Sequence, residues 1–361
     1  MKKIFSLLVL CAVAVALVSC ASKESSDSAY PMGVILPLSG TNAEAAREVL
    51  NGMELAKDEI NSSGGLSGVK LRLITADSSQ KDYAFADAFN AMSREGVKIY
   101  NIGFGKETVL LRKTLVGENG IFVNYLCSYP PATLDASNST RIFINGAQQG
   151  DIMAQAVDRK DGLERQIVLM NVDNLAGKSN GDYLAFNLNV QKTKLYKDVF
   201  GEGETRFGVF GEQIMRLWTE YVFYVGYGKE LPAFLEHLGK IGYKGAVVAD
   251  CGFYTFADMK IPQNIKFSRV ETLFEQGKIT SGISRDFRAA YRARYGKEAT
   301  WVAAYGYDSI KLLSQAALEA KFKPASMRAH FVDKSYDAAI GKLKFDSSAD
   351  STSELELVRK K

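Results

Sequence analysis

The fold is decided by residues 33–77, GVILPLSGTNAEAAREVLNGMELAKDEINSSGGLSGVKLRLITAD. An apolar run, 33–38, is closed by Ser39-Gly40, which predicts a buried strand ending in a turn. A helix follows, because apolar residues recur every three or four positions and share one face. Those positions are Ala46, Val49, Met53, Ala56 and Ile60. The Gly-rich segment 61–65 ends the helix, and the apolar/charged alternation of 69–73 predicts a second strand.

A strand, a helix and a strand with short links predict a right-handed βαβ unit with parallel strands. The loop 37–42 then lies at a strand's carboxyl end, where open α/β sheets bind ligands. Ser39 in this loop is therefore a candidate ligand-binding residue.

The rest of the chain continues this alternation of strands and helices. Strands are predicted at 98–103, 120–125, 141–146, 166–172, 221–226 and 246–249. Helices are predicted at 83–95, from 151 onwards, and at 231–239, while the polar segment 173–199 is left unassigned. This order predicts an α/β protein with a largely parallel sheet in each half.

The amino terminus has the pattern of a secretory signal. Met1-Lys2-Lys3 precedes an apolar run, 4–18, which is too short for a membrane-spanning helix. Leu17-Val18-Ser19-Cys20 fits a bacterial lipobox, in which Cys20 receives the lipid, and 20–30 would be a polar tether. The alternative is an ordinary signal peptide with a chance cysteine. We expect an exported, membrane-anchored lipoprotein of the periplasm or cell surface, with residues 1–19 removed.

Composition bounds the partners. Removing residues 1–19 takes away Lys2 and Lys3, so the formal net charge falls from +4 to +2. This near balance, with no basic run interleaved with aromatics, argues against nucleic-acid binding. The 342 remaining residues suffice for two domains.

The chemistry-bearing residues are few. Of four cysteines, Cys11 lies in the signal and Cys20 in the lipobox, leaving Cys127 and Cys251, which make no disulfide scaffold. The only two histidines have no metal-ligand spacing, and no cofactor is expected. Residues 177–181, GKSNG, satisfy G-x-S-x-G, but we interpret the match as chance in a polar loop, since a nucleophile elbow needs a sharp strand-to-helix turn. The chain is therefore not expected to be an enzyme.

Residues 33–65 resemble the opening of periplasmic (type I) substrate-binding proteins of the branched-chain amino acid ABC importer, the leucine/isoleucine/valine-binding type. The shared marks are the P-L-S-G loop, the helix ending E-I-N-x-x-G-G, and Asp77 after the second strand. SRDFRAAYRARYG at 284–296 and GKLKFDSSAD at 341–350 match the family's C-terminal order.

The resemblance implies a two-lobed clamshell with three interlobe crossovers, near 144–146, 270–273 and 341–343. Lobe one would hold 31–145 and 274–340. Lobe two would hold 146–273 and 341–361.

The resemblance also implies ligand-binding residues in both lobes. In lobe one, Lys106 or Glu107 stands where the family has a serine, depending on a one-residue gap. Leu126 aligns with a residue that uses its backbone, and Ser128 with a hydroxyl residue; Cys127 lies between them.

In lobe two, Tyr227 would lie over the ligand. Cys251 replaces the glutamate that pairs with an amino acid's ammonium group, and Asp250 lies one position earlier. Cys127 and Cys251 are expected in cleft-facing loops, without a disulfide, and more accessible when no ligand is bound.

These expectations describe a solute-binding lipoprotein that delivers an amino acid or related small organic acid to an ABC permease in the inner membrane. We expect it to act as a monomer. A Lys106 side chain in the cleft would favour an anion, whereas Glu107 would favour an amino acid or amine. The alternatives are a ligand-sensing receptor for a membrane signalling partner, and a lipoprotein hydrolase using Ser179.

Overall fold

The computed structural model describes residues 29–79, 81–104, 120–134, 137–157, 163–189, 193–226, 228, 230–252 and 259–360. Within them, parallel strands flanked by helices build two separate sheets, and a smaller antiparallel sheet joins them. The predicted α/β class is confirmed.

The first sheet has strand order β2-β1-β3-β4-β5, and all its pairs are parallel. Its strands are β1 Tyr30–Leu36, β2 Leu71–Asp77, β3 Ile99–Gly103, β4 Phe122–Leu126 and β5 Ser139–Arg141. The predicted βαβ unit is confirmed, because β1 and β2 run parallel in register from Tyr30↔Leu71 to Leu36↔Asp77.

The second sheet has order β14-β10-β9-β8-β6-β7. Its strands are β6 Arg165–Val172, β7 Thr193–Phe200, β8 Tyr221–Val225, β9 Ala246–Ala249, β10 Lys266–Thr272 and β14 Leu355–Lys360. Only the pairing of β14 with β10 is antiparallel. Strands β6 to β10 thus repeat the order of the first sheet. Open α/β sheets in general bind ligands at the carboxyl ends of their parallel strands.

The third sheet comprises β11 Ser335–Ala338, β12 Gly341–Phe345 and β13 Ser351–Thr352. Strand β12 pairs with β11 and β13, although the resemblance assigned 341–361 to the second lobe. From β13 the chain passes through Ser353 and Glu354 into β14 of the second sheet. The division into lobes stays a prediction.

Helices cover the faces of the sheets. They are α1 Ala43–Ser62, α2 Asp82–Arg94, α3 Gly146–Ala154, α4 Leu175–Asn189, α5 Gly208–Arg216, α6 Glu230–Lys240, α7 Gly282–Tyr295, α8 Trp301–Glu319 and α9 Pro324–Met327, with 3-10 turns at Pro130–Thr133 and Arg328–His330. Across the part of the chain that is described, no helix combines the length and apolar character needed to cross a bilayer.

Two element predictions are wrong around the passage from the first sheet to the second. The strand predicted at 141–146 is Ser139–Arg141, after which the chain leaves the sheet. Phe143 instead packs against Trp301 and Tyr305. The next helix begins at Gly146 rather than 151, because the Asn145 side chain accepts the N–H groups of the first turn.

Candidate ligand-binding site

The loop after β1 is closed by hydrogen bonds to Asp77. Its carboxylate accepts the backbone N–H groups of Leu38 at 2.8 Å, Ser39 at 3.3 Å and Ser79 at 2.7 Å. The Ser39 hydroxyl is exposed and bonds to that of Ser79 at 3.2 Å. Burial favours a higher pKa for Asp77, but the hydrogen bonds from Ser39, Ser79 and Leu38 outweigh it and lower the pKa. The structure thus ties Ser39 to its own loop.

The loop after β4 reaches elements of the second sheet through Ser128. The Asn180 amide of α4 donates to the Ser128 hydroxyl at 2.9 Å, and the Gly146 N–H donates to the Ser128 carbonyl at 2.9 Å. A Cβ at position 146 would lie 2.1 Å from Asn180 Oδ1 and 2.4 Å from the Ser128 carbonyl. Glycine is therefore required there for this close approach.

The side chains of the other two candidates in this loop are buried in the protein, and the predicted backbone role of Leu126 stays a prediction. Leu126 and Cys127 are both buried, in apolar clusters that pack on different sides of the first sheet. The expected cleft-facing position of the Cys127 thiol does not match its packing against Ile35 and Tyr125 in a core cluster, since alternate residues at a strand end face opposite sides of a sheet.

Arg141 fixes the path of this loop from inside. Its wholly buried guanidinium donates to the carbonyls of Cys127 at 3.3 Å, Tyr129 at 2.6 Å and Pro130 at 3.1 Å. It also forms a bidentate ion pair with Asp350, whose Oδ1 accepts at 2.6 Å. Burial opposes the charge on Arg141, but Asp350 outweighs it and raises the pKa of the guanidinium. These charge-assisted hydrogen bonds connect the loop that contains Ser128 to Asp350.

A small cavity lies at the carboxyl ends of β8 and β9, beside the Ser128–Asn180 contact. We call it the polar cavity; it is lined by Gly146, Gln149, Gly150, Met153, Asn180, Leu184, Val225 and Asp250. Its volume is about 10 Å³, the room that one water molecule needs. Its lining combines apolar residues with a few polar ones, but its volume is far below that of a pocket for a whole small-molecule ligand.

Gln149 and Asp250 supply the polar atoms of this cavity. Gln149 Oε1 accepts the Cys251 backbone N–H at 2.7 Å, and Asp250 Oδ1 accepts the Gly226 N–H at 3.3 Å. Among the described residues, Gln149 Nε2 and Asp250 Oδ2 have no hydrogen-bond partner although both are buried. Burial raises the pKa of Asp250 well above its usual value, and the Gly226 N–H only partly opposes this.

Cys251 contributes its backbone to the site rather than its thiol. The thiol is buried in the apolar cluster that runs between the sheets, and it does not line the polar cavity. Burial raises its pKa well above that of a free thiol, and the nearby carboxylate of Glu275 adds to the effect. Within the described residues neither Cys127 nor Cys251 forms a disulfide, as expected.

Several predicted residues lie outside the described residues: Cys20, Lys106, Glu107 and Tyr227. Conversely, Gln149, Met153 and Asn180 line the cavity without having been predicted. The Asn145 cap before α3 is the sequence signal that locates Gln149, because a capping residue marks a helix start at a strand end.

The G-x-S-x-G match lies in helix α4, not in a polar loop as predicted. Gly177 and Gly181 lie one turn apart on its buried side, and Ser179 is two residues past a buried Gly177 inside regular helix. This is not the strand-to-helix turn that exposes a nucleophile. In the described part of the chain, no group of three or more His, Cys, Asp or Glu side chains is arranged to hold a metal ion.

Comparison with known proteins places the chain in a family. Residues 29–354 match the sequence profile described as "Periplasmic binding protein". The Leu/Ile/Val-binding protein BraC3 of Rhizobium johnstonii is 25% identical over 336 residues, which cover 90% of this chain and 89% of the relative.

Solved structures share the fold. The leucine binding protein LivK of Thermotoga maritima superposes with a TM-score of 0.79 at 16% identity, covering 92% of this chain and 97% of that one. An ABC transporter solute binding protein of R. palustris in complex with benzoate gives 0.78 at 17% identity, covering 92% and 93%. The chain belongs to the periplasmic binding protein family, and the two-lobed α/β fold predicted from that resemblance is confirmed.

Proposed function

We propose that this chain is an extracytoplasmic solute-binding lipoprotein that captures an amino acid or related small organic acid and delivers it to an ABC permease. The observation that carries the proposal is the polar cavity, which lies where Ser128 of the first sheet meets Asn180 and Gly146 beside the second. A ligand bound at this junction touches elements of both sheets and so favours the closed arrangement over the open one.

The relatives support the ligand class. BraC3 and LivK are named for leucine-type ligands, and the R. palustris protein holds benzoate. Leucine and benzoate share a carboxylate joined to an apolar body. Met153, Leu184 and Val225 line the cavity. Because the cavity admits only one oxygen-sized group, the apolar body of such a ligand is proposed to lie beside these residues and not inside the cavity. Lys106 or Glu107 and Tyr227 are proposed to complete the site, with 31–145 and 274–340 as lobe one and 146–273 and 341–361 as lobe two.

A thermal-shift screen over amino acids and small aromatic carboxylates tests the proposal. A ligand that binds only the native state raises the melting temperature, by a stabilisation of about 2.7 kcal/mol at a hundred times its dissociation constant. Asn180→Ala removes the hydrogen bond to Ser128. The variant should therefore need at least ten times the ligand concentration to reach the same shift in melting temperature.

Asn187→Ala is the matched control for the screen. Asn187 also lies on α4, but its side chain donates to the exposed Asp151 at 2.7 Å and does not line the cavity. Its shift should equal that of the wild type. A melting temperature unmoved by every ligand of the screen would refute the proposed function.

Cys20 carries the membrane part of the proposal. The wild type should partition with membranes, and Cys20→Ser should release the protein or leave its signal uncut, because a lipid anchor of two or more acyl chains binds membranes stably. Equal solubility and equal processing of the two forms would contradict the anchor while leaving solute binding intact.

A further inference from the structure

Two residues that line the polar cavity, Gln149 and Asp250, each carry a buried polar atom that lacks a hydrogen-bond partner among the described residues. Gln149 is oriented by the Cys251 N–H, which needs the amide oxygen as its acceptor at 2.7 Å, so the Gln149 NH₂ group is directed away from that bond. Its Nε2 and the Asp250 Oδ2 are buried without a partner among the described residues. Gln149 and Asp250 are each only 2% exposed.

Both groups must gain a partner or cost stability. A buried donor or acceptor that is left unpaired costs about 1–3 kcal/mol. The volume of about 10 Å³ admits one oxygen-sized group. A group that enters the cavity therefore meets two lining residues, one with an unpaired amide donor and one with an unpaired carboxyl oxygen.

Few functional groups meet that demand. A hydroxyl both accepts and donates, so it accepts from Gln149 Nε2 and bonds to Asp250 Oδ2 whichever of its protonation states is present. An ammonium group only donates and would face the Gln149 N–H without accepting it. A methyl group does neither, and a carboxylate exceeds the volume and repels an ionised Asp250.

We propose that the cavity between Gln149 and Asp250 is a hydroxyl subsite, so that the preferred solute is a hydroxylated small organic acid or amino acid. This rests on the proposed function and narrows its ligand class. Without ligand a water molecule occupies the subsite, and the hydroxyl replaces it while keeping its hydrogen bonds.

Discrimination follows from the unpaired groups. A site built to hydrogen-bond a hydroxyl rejects an analogue without it, because the analogue leaves buried polar atoms unpaired. We expect a preference of at least tenfold for the hydroxylated member of a matched pair. The pairs are valine with threonine, butyrate with 3-hydroxybutyrate, and benzoate with 3-hydroxybenzoate.

Calorimetric titration of the mature wild type with these six compounds is the test. The proposal expects at least one pair in which the hydroxylated member binds tenfold or more tightly. In Gln149→Met and Asp250→Leu this preference should fall below twofold, while the unhydroxylated member binds as before. Gln315→Met is the control; Gln315 is exposed on α8, bonds to Glu319 at 3.2 Å, and should keep the wild-type preference.

Each other outcome counts against the subsite. Equal affinity within every pair, or a preference that survives in Gln149→Met, overturns it even though solutes bind and the proposed function stands. Valine and threonine carry an ammonium group, whereas the other four compounds do not. If these two bind more tightly than the others, and only Asp250→Leu abolishes the difference, the cavity belongs to an ammonium group instead. If all six compounds and the amino acids of the screen fail to bind, the proposed function itself is refuted. Melting curves without ligand establish that each variant is folded, and Gln149→Met carries the test if Asp250→Leu is not.

Discussion

Two aspartates at the carboxyl edges of the two sheets occupy similar places in the fold and opposite environments. Asp77, the last residue of β2, is partly exposed and accepts three backbone N–H groups and the Ser79 hydroxyl. Asp250, the residue after β9, is buried and accepts one N–H group with one of its oxygens. Hydrogen bonding lowers the pKa of Asp77 overall, whereas burial raises that of Asp250.

The contrast sets a carboxylate whose hydrogen bonds are made within the protein against one that keeps an unpaired oxygen at a similar topological position. At the edge of the first sheet, the Asp77 carboxylate accepts backbone N–H groups after β2, and Arg141 donates to the carbonyls of the loop after β4. At the edge of the second sheet, Asp250 and Gln149 each have a buried polar atom without a hydrogen-bond partner among the described residues. A ligand gains most where protein groups lack partners, so the second edge is where selectivity is expected.

The largest effect on stability is expected from removing the ion pair between Arg141 and Asp350. Arg141→Met should lower the free energy of unfolding by about 3–5 kcal/mol, because it leaves Asp350 buried without its cation. Urea denaturation measures this. Arg72→Met is the control; its ion pair with Glu95 spans 3.5 Å with both side chains 52% exposed, and such pairs contribute about 1 kcal/mol or less. Equal losses in the two variants would contradict the claim that the Arg141–Asp350 pair stabilises the fold more than an exposed ion pair does.

A smaller effect is expected at Asp77. Asp77→Ala should cost about 1.5–3 kcal/mol at pH 7, because hydrogen bonds to a charged group are the stronger ones. Since the pKa is lowered on folding, this stability is present above the unfolded value of about 3.9 and is lost as the pH falls through the folded pKa. Urea titrations at pH 7 and below pH 3 measure it. Asp87→Ala, at an exposed position of α2, should change little, and a loss for Asp77→Ala that ignores pH would refute the argument.

The opposite sign is expected at Asp250. Its pKa is raised on folding, so its contribution is fully present below the unfolded value of about 3.9 and is lost as the pH rises through the folded pKa. Asp250→Asn keeps an acceptor for the Gly226 N–H and removes this loss. Relative to the wild type the variant should gain stability as the pH rises above the unfolded pKa of about 3.9, by about 1.4 kcal/mol for every tenfold difference in proton affinity between the folded and unfolded carboxyl. A difference that is constant with pH would contradict the contrast with Asp77.

The smallest effect is expected from the thiols, one at each edge. Cys127 is 2% exposed and Cys251 is 1% exposed, so a small alkylating reagent should label neither appreciably within the time that labels both in urea. Mass spectrometry of the labelled peptides measures the two sites separately. Rapid labelling of Cys251 that ligand suppresses would support the cleft position expected from the sequence over the buried one.

The sequence predicted the parts of the fold that depend on short-range pattern. In 33–77 the strand and helix periods are clear and the turns carry glycine, so the βαβ unit could be predicted. Helix α4 was missed because its buried face carries Ala176, Gly177, Asn180 and Gly181 beside leucines. A search for apolar periodicity counts glycine and asparagine as breaks, whereas small residues four apart in fact mark a closely packed helix face.

The resemblance pointed to residues of strand-end loops. Ser128 and Asp250 were predicted in this way; Ser128 bonds to Asn180 of the cavity lining, and Asp250 lines the cavity. Their roles in binding stay predictions. Gln149 reaches the site from a helix of the crossover, and its role depends on the Cys251 N–H 102 residues away. The 141–146 run has strand character, yet Arg141 is the last residue of its strand because its side chain pairs with Asp350. Such partners are set by tertiary packing and leave no local signal.

The pairing of Arg141 with Asp350 spans 209 positions of the chain. Closing a loop of that length costs entropy before any contact repays it, and contacts so distant in sequence form late and slowly. Until residue 350 has been synthesised, the Arg141 guanidinium has no carboxylate to pair with, and its uncompensated charge would destabilise the half-formed sheet if it were buried. The carbonyls of Cys127, Tyr129 and Pro130 then lack the donor that orders them. The conformation of the loop after β4 therefore depends on a segment that is made long after the loop itself, so the strands of the first sheet can form before the loop at their edge is ordered.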